Sequence, residues 1–533
     1  MNLARPDRQR TKLIGPRPAH HFIPRIAALA PIFFAIICAG ATDSFLPLAQ
    51  LAERAPNRSP RPNIVFILAD DLGFGDLSCY GQTKFETPNI DRLAGQGIKL
   101  TVHYAGSAVC APSRCALMTG KHPGHGFIRE NRQFHPPQEG QWPVPAGELK
   151  LPIILQQLGY RTGAFGKWGL GAPDSTGEPL RQGIDRFFGY NCQAVAHNYY
   201  PTSLWDNARR LPLKNPPFSA HQKLPADADP NSPESYRQFI GNEYAPDLIA
   251  EQALRFLREN RNGPFFLYYP TTVPHLALQA PADSINPFAG KFPEEPYLGD
   301  RSYLPQRTPQ AAYAAMITRM DREVGRVLDL LHELRLDENT IVVFTSDNGP
   351  LYNRLGGTDT EFFKSAGLFR GRKGSLYEGG VRVPCLIRWP NKIKPGTESS
   401  RVTGFEDWLP TLLELAGAKD QTPRRIDGIS FAPTLLGKHQ DPRPFLYRET
   451  PGYGGQQSLR VADWKAVRQR LNPGPRAKLN PGPVELYNLA SDPSEQIDVA
   501  AEHPDIVTKL GAMMREQHTP SAVFPMRALD DSL

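Results

Sequence analysis

The apolar positions of this chain fall into two recurring patterns. Short unbroken runs bounded by Gly, Pro or acids read as strands buried on both faces. They are NIVFILADDLG (63–73), RTGAFGKW (161–168), PFFLYYP (264–270), TIVVFTSDNG (340–349) and RVPCLIRWP (382–390). Between them, PDLIAEQALRFLREN (246–260), AAYAAMITRMDREVGRVLDLLHEL (311–334) and DWLPTLLELAG (407–417) carry apolar residues at helical spacing. Two shorter segments also predict helices: TPNIDRLAGQG (87–97), capped and stopped by glycine, and PSRCALMTG (112–120), with Pro112 in its first turn and Gly120 as its stop. Alternation of this kind defines an α/β protein, a large and mainly parallel sheet sandwiched by helices.

Past about residue 440 the pattern changes. SLRVADWKAVRQR (458–470) and VELYNL (484–489) read as short strands and DIVTKLGAMMREQ (505–517) as a helix, which predicts a smaller C-terminal α+β subdomain over 438–533 behind a main domain over 60–437. LNPGP occurs twice, at 471–475 and 479–483, and reads as a loop built of turns.

The first 41 residues stand apart: Arg5, Arg8, Arg10, Lys12, Arg17 and Arg25 surround or precede IAALAPIFFAIICAGA, the form of an export signal cleaved near Ala41. The expectation is a periplasmic or secreted protein, touching a membrane only if this leader is retained. The leader carries six basic residues against Asp7, so +5 of the chain's net +7 resides there and only +2 is left for the rest. That balance, with no basic and aromatic array, excludes a nucleic-acid partner. The 533 residues, 40% of them hydrophobic, suffice for a large core and exclude a disordered chain. Six cysteines without CxxC spacing exclude a disulfide scaffold and a zinc-thiolate site, leaving at most a bridge among Cys79, Cys115, Cys192 and Cys385.

The chemistry concentrates at predicted strand ends. Asp70 and Asp71 follow NIVFILA, and Asp347 with Asn348 follows TIVVFTS. Three carboxylates and an amide suit a hard cation, Ca²⁺ or Mg²⁺, although each pair alone equally suits a turn cap. Cys110 lies at a helix N-terminus, and a bare thiolate beside such a cation would be a poor match of soft donor and hard ion.

CAPSRCALMTGKH (110–122) resembles the signature of the sulfatases, in which the cysteine is converted after translation to formylglycine (3-oxoalanine). PNIVFILADDLGFGDLSCYG, GKWGLG, TSDNGP, FRGRKGSLYEGGVRVP and ELYNLASDPSEQ resemble sulfatase segments in the expected order, over roughly residues 60–500. The resemblance implies an alkaline-phosphatase-like fold and hydrolysis of an aryl or carbohydrate sulfate monoester. It implies a divalent cation on Asp70, Asp71, Asp347, Asn348 and the modified Cys110, which removes the mismatch because oxygen then replaces sulfur. It also implies a formylglycine-generating maturation enzyme as a partner. By the same resemblance Lys167 and Lys373 hold the sulfate, Arg114 orients the nucleophile, and His275 protonates the leaving oxygen.

One position departs from the family pattern. Many members read G-K-W-H-L-G, whereas this chain has Gly169 where that histidine, credited with taking a proton from the formylglycine hydrate, would stand. His197, in QAVAHNYYP, is the candidate substitute; His122 and His125, past the nucleophile helix, suit either substrate contact or packing. Loops 197–245 and 280–310 are expected to set specificity. The alternatives are a phosphonate or phosphate ester hydrolase of the same superfamily, an inactive sulfated-glycan binder, and, last, a hydrolase using Cys110 as a free thiol.

Overall fold

The computed structural model describes residues 61–136, 139–474 and 476–530; the leader lies outside them. In chain order the strands are β1 (Asn63–Asp70), β2 (Ile98–Leu100), β3 (His103–Tyr104), β4 (Arg161–Lys167), β5 (Arg186–Tyr190), β6 (Ser203–Asp206), β7 (Arg209–Pro212) and β8 (Phe265–Pro274). They continue with β9 (Thr340–Ser346), β10 (Cys385–Arg388), β11 (Thr397–Ser399), β12 (Thr403–Gly404), β13 (Leu446–Thr450), β14 (Gln456–Val461), β15 (Trp464–Arg468) and β16 (Val484–Asn488).

Ten of these form one sheet in the order β11-β2-β10-β9-β1-β8-β4-β5-β6-β7. Its middle, β9-β1-β8-β4-β5, is parallel throughout. The edges are mixed: β10 runs antiparallel to both β9 and β2, and β6–β7 is an antiparallel hairpin that lengthens the sheet beyond β5. That hairpin occupies part of the 197–245 segment, which is therefore not loop throughout.

β1 shows why an unbroken apolar run is needed at the centre. Val65, Ile67 and Ala69 face the helices Ala245–Glu259 and Pro309–Glu333 in one apolar cluster. Ile64, Phe66 and Leu68 face the helices Cys110–Thr119, Lys150–Gln157 and Trp408–Leu415 in another. Successive side chains on a strand point to opposite faces, so a strand covered twice must be apolar at every position. Truncating Phe66, packed edge-on against Trp408 at 5.2 Å, would cost about 3–5 kcal/mol.

The helix ends divide over the glycine signals. Gly120 stops Cys110–Thr119 in the left-handed region at φ 72. Pro88–Gly95 instead ends on Gln96 in the right-handed region, and Gly97 is used for close packing: a side chain there would meet the Ile387 carbonyl. After residue 445, β13–β16 form an antiparallel meander covered by the helix Pro504–Glu516, as the C-terminal pattern predicts, with β13 an additional strand. Cys79, Cys110, Cys115, Cys192 and Cys385 are all free thiols.

Candidate active site

Parallel α/β sheets gather function at the carboxyl ends of their strands. Here Asp70 closes β1, Lys167 closes β4, His275 follows β8, and Asp347 and Asn348 follow β9. Cys110 reaches the same point as the first residue of its helix. Val109 before it is extended, Pro112 gives up an N–H that has no partner in a first helical turn, and the Ala111 N–H donates to Asn131 Oδ1 at 2.8 Å. Lys373 arrives on the loop before β10. It is followed by Gly374 at φ 81, where a side chain would strike Tyr352 and Tyr453.

The groups form one buried network. The Cys110 thiol lies 3.3 Å from Asp70 Oδ1 and 4.0 Å from Asp71 Oδ1, with Lys167 Nζ and Lys373 Nζ at 3.6 and 3.7 Å from its sulfur. Lys167 pairs with Asp70 at 2.5 Å and Lys373 with Asp71 at 2.8 Å. Arg114 donates from Nε and Nη2 to Asp347 Oδ2 at 3.0 and 2.8 Å, from Nη2 to Asp70 Oδ2 at 3.1 Å, and from Nη1 to the Lys167 carbonyl. His275 Nε2 stands 3.4 Å from Asp71 Oδ2 while its Nδ1 bonds the Leu276 carbonyl at 2.7 Å.

The donor set fits a hard divalent cation. Asp70, Asp71 and Cys110 offer atoms within 4.8 Å of one another, and Asp71 N–H donates to Asp347 Oδ1 at 3.2 Å, drawing the second strand end into the cluster. Asn348 is held by its Nδ2, which donates to Asp71 Oδ1 at 2.7 Å and to the Gly349 carbonyl at 2.9 Å. Its Oδ1 is buried with no hydrogen-bond partner. An orphaned buried carbonyl oxygen beside carboxylates is a ligand atom in waiting.

The electrostatics point the same way. Burial alone would raise Asp70, yet Lys167 and Arg114 together hold it well below the usual carboxylate range. Burial and the neighbouring Asp70 charge lift Asp347 to about 6, and burial lifts Asp71 as well. A cation would relieve both. Burial, then Asp347 and Asp70, push the Cys110 thiol up, opposite to the need of a thiolate nucleophile.

The ten residues assigned a catalytic or metal role from the sequence meet at this point, His197 by stacking on His275 with ring centroids 5.0 Å apart and an interplanar angle of 8°. Sequence reasoning missed His221, whose Nε2 lies 3.1 Å from His197 Nδ1, and Tyr303, whose ring packs 5.2 Å from His197. It also missed Gln193: a side chain at Gly169, φ 77, would begin 2.7 Å from Gln193 Nε2, so the glutamine fills the space a residue there would use. His122 and His125 lie elsewhere, stacked on each other at 4.3 Å, with His125 bound to Asp427 at 2.8 Å and His122 facing Tyr447 and Gln517. They pack against the C-terminal sheet.

The Sulfatase family model matches residues 62–418, and the model described as N-sulphoglucosamine sulphohydrolase, C-terminal, matches 366–519. Mouse steryl-sulfatase is 31% identical over 91% of this chain and 86% of its own. The N-acetylgalactosamine-6-O-sulfatase of Bacteroides thetaiotaomicron is 30% identical over 86% of this chain and 94% of its own. The crystal structure of Ps i-CgsB in complex with k-i-k-neocarrahexaose superposes with a TM-score of 0.67 at 26% identity, covering 86% of this chain and 92% of that one. The chain belongs to the sulfatase family, with its alkaline-phosphatase-like fold. It is a sulfuric ester hydrolase.

Proposed function

We propose that the protein hydrolyses a sulfate monoester carried on a sugar, using a formylglycine made from Cys110 and a divalent cation, Ca²⁺ before Mg²⁺, held by Asp70, Asp71, Asp347, Asn348 and the modified residue 110. The hydrated aldehyde supplies two hydroxyls on one carbon, one to attack sulfur and one to let sulfate depart. The cation supplies positive charge to the sulfate oxygens. The observation that carries the reading is the convergence of Cys110, two ammonium groups and an Asp/Asp/Asp/Asn donor set at the ends of β1, β4 and β9.

The chain's own groups divide the remaining work. Lys167 and Lys373 bind the sulfate oxygens, their charges fixed in place by Asp70 and Asp71 before substrate arrives, which is the preorganisation that stabilises a transition state of spreading negative charge. Arg114, clamped by Asp347 and Asp70, orients residue 110 across the helix turn. His275 donates its Nδ1–H to the Leu276 carbonyl, so Nε2 is the edge that holds or releases a proton at the leaving oxygen. Burial and the two lysines disfavour its charged form, and the anionic sulfate group offsets that effect. A sugar is favoured because the polar rings of His197, His221, Tyr303, Tyr352 and the exposed Tyr453 surround the centre, and sulfated-sugar enzymes are among the relatives. The leader supports export, and maturation then calls on a formylglycine-generating enzyme. Residues 438–533 serve as the C-terminal subdomain that brings Tyr453 to the rim.

Matured protein assayed on 4-nitrophenyl sulfate, sulfated monosaccharides and 4-nitrophenyl phosphate tests this reading. Expected are sulfate turnover well above phosphate turnover, loss on chelation with recovery on Ca²⁺, and an aldehyde in place of the thiol in the peptide holding residue 110. Full activity with an intact thiol would overturn it, and dominant phosphate turnover would favour the ester-hydrolase alternative.

A further inference from the structure

The histidine cluster over the reaction centre fixes more than position. Tyr303 N–H donates to His221 Nδ1 at 3.4 Å, and Ser302 Oγ lies 2.9 Å from the same nitrogen. A backbone amide can only donate, so in the neutral ring, which partial desolvation favours, His221 Nδ1 is the acceptor and the proton sits on Nε2. That N–H faces His197 Nδ1 at 3.1 Å, which must accept it. His197, likewise kept neutral by burial and by the nearby Lys167 charge, then carries its own proton on Nε2. Among the described residues Nε2 of this half-buried ring has no hydrogen-bond partner, and it is not sealed from solvent.

We propose that His221 is a positioning residue that locks His197 in the Nε2–H tautomer, so that His197 donates a hydrogen bond to an oxygen of the bound ester. This rests on the sulfatase reading of the site and gives His197 a role opposite to that of a proton acceptor standing in for the histidine absent at Gly169. Neither His221 nor Tyr303 belongs to a motif; the register comes from Ser302 and Tyr303, held at φ 65 and 63, which aim one amide at one ring nitrogen. Left-handed backbone at a tyrosine is costly, and such conformations gather where geometry matters to function.

The test compares His221→Gln with His221→Phe in the matured enzyme, using nitrogen-15 histidine NMR and steady-state kinetics. A glutamine amide can still donate to His197 Nδ1, whereas phenylalanine cannot. His221 is exposed, so neither change disturbs the core. Expected is a His197 spectrum with Nε2 protonated in the wild type and in His221→Gln, and a mixture of tautomers in His221→Phe. With it comes a roughly tenfold fall in kcat/KM for Phe that Gln largely restores, the scale of one hydrogen bond. A wild-type His197 protonated on Nδ1, or equal kinetics for Gln and Phe, would overturn the proposal. If the wild type lacked sulfate turnover, the sulfatase reading would fail instead, and the NMR would still report the tautomer.

Discussion

Around Glu406, two carboxylates and two guanidinium groups close on one another: Arg448 grips both Glu406 oxygens at 3.0 and 2.9 Å, and Arg443 reaches Glu406 at 2.9 Å and also Asp407. Asp407 is finished off by the N–H groups of Gly404 and Ile429 at 2.8 and 2.7 Å. Around Cys110, Asp70, Asp71 and Asp347 likewise meet Arg114, Lys167 and Lys373, so the formal charges balance in both places. Each place holds one acid down and another up: against their burial, Glu406 falls to about 2 and Asp70 well below the usual range, while burial lifts Asp407, and burial with Asp70 lifts Asp347 to about 6. The difference lies in the donors, for the Cys110 cluster keeps a buried acceptor without a partner, Asn348 Oδ1, and among the described residues the Glu406 cluster does not. Bidentate guanidinium pairs complete a carboxylate and make it structural; carboxylates packed against each other with spare donor atoms remain chemically available.

The largest expected effect is on the open cluster. Cys110→Ala removes the residue from which the proposed nucleophile is made and should lower turnover by roughly 10⁴-fold or more while leaving the fold intact, checked by activity beside circular dichroism. Exchanging the roles of the clusters comes next. Glu406→Gln strands two buried arginines and should cost about 3–5 kcal/mol in denaturant unfolding, with turnover per folded molecule unchanged. Asp347→Asn should do the reverse, cutting turnover by roughly 10²- to 10³-fold with a much smaller change in stability. Equal losses of stability in the two variants would erase the distinction.

Acid sharpens it further. Glu406 has a folded-state value near 2, below its ordinary 4.5, so it contributes stability that is fully present above about pH 4.5 and is lost as pH falls through about 2. Asp347, raised from 3.8 to about 6, has the opposite sign and costs stability as pH rises across that interval. The acid limb of the wild-type unfolding curve between pH 4.5 and 2 should therefore become shallower in Glu406→Gln, Asp70 and Glu378 still contributing, and persist in full in Asp347→Asn. The smallest effect expected is at the rim: Tyr453→Ala, half exposed, should raise KM for a sulfated sugar several-fold with kcat and melting unchanged, as loss of one ring contact at an exposed site implies.

The buried strands were legible because a doubly covered strand admits few polar interruptions: β1, β4 and β9 lie within runs marked by that rule, and β8 begins in one and continues past its end to Pro274. β10 was found by the same rule, but its antiparallel direction was not, since apolar periodicity carries no sign. The acids were legible from their place at the ends of predicted strands, and Cys110 and Arg114 through the motif that carries the resemblance. Lys373 was legible only through resemblance, because its loop shows no periodicity. His221 had no local signal: it lies in a Pro-rich stretch after β7, and its meaning depends on Ser302 and Tyr303, some eighty residues away in sequence. Gln193 was hidden for the same reason, its significance being the room that Gly169 leaves.

Asp70 and Asp347 are continuous with β1 and β9, paired interior strands of the sheet that are buried along their whole length. Heat therefore has no way to disorganise these carboxylates short of dismantling the sheet itself, since local opening is easiest where contacts are few. Surviving activity and surviving fold should trace one curve against temperature, whereas an enzyme whose chemistry rides on a flap falls silent before it melts.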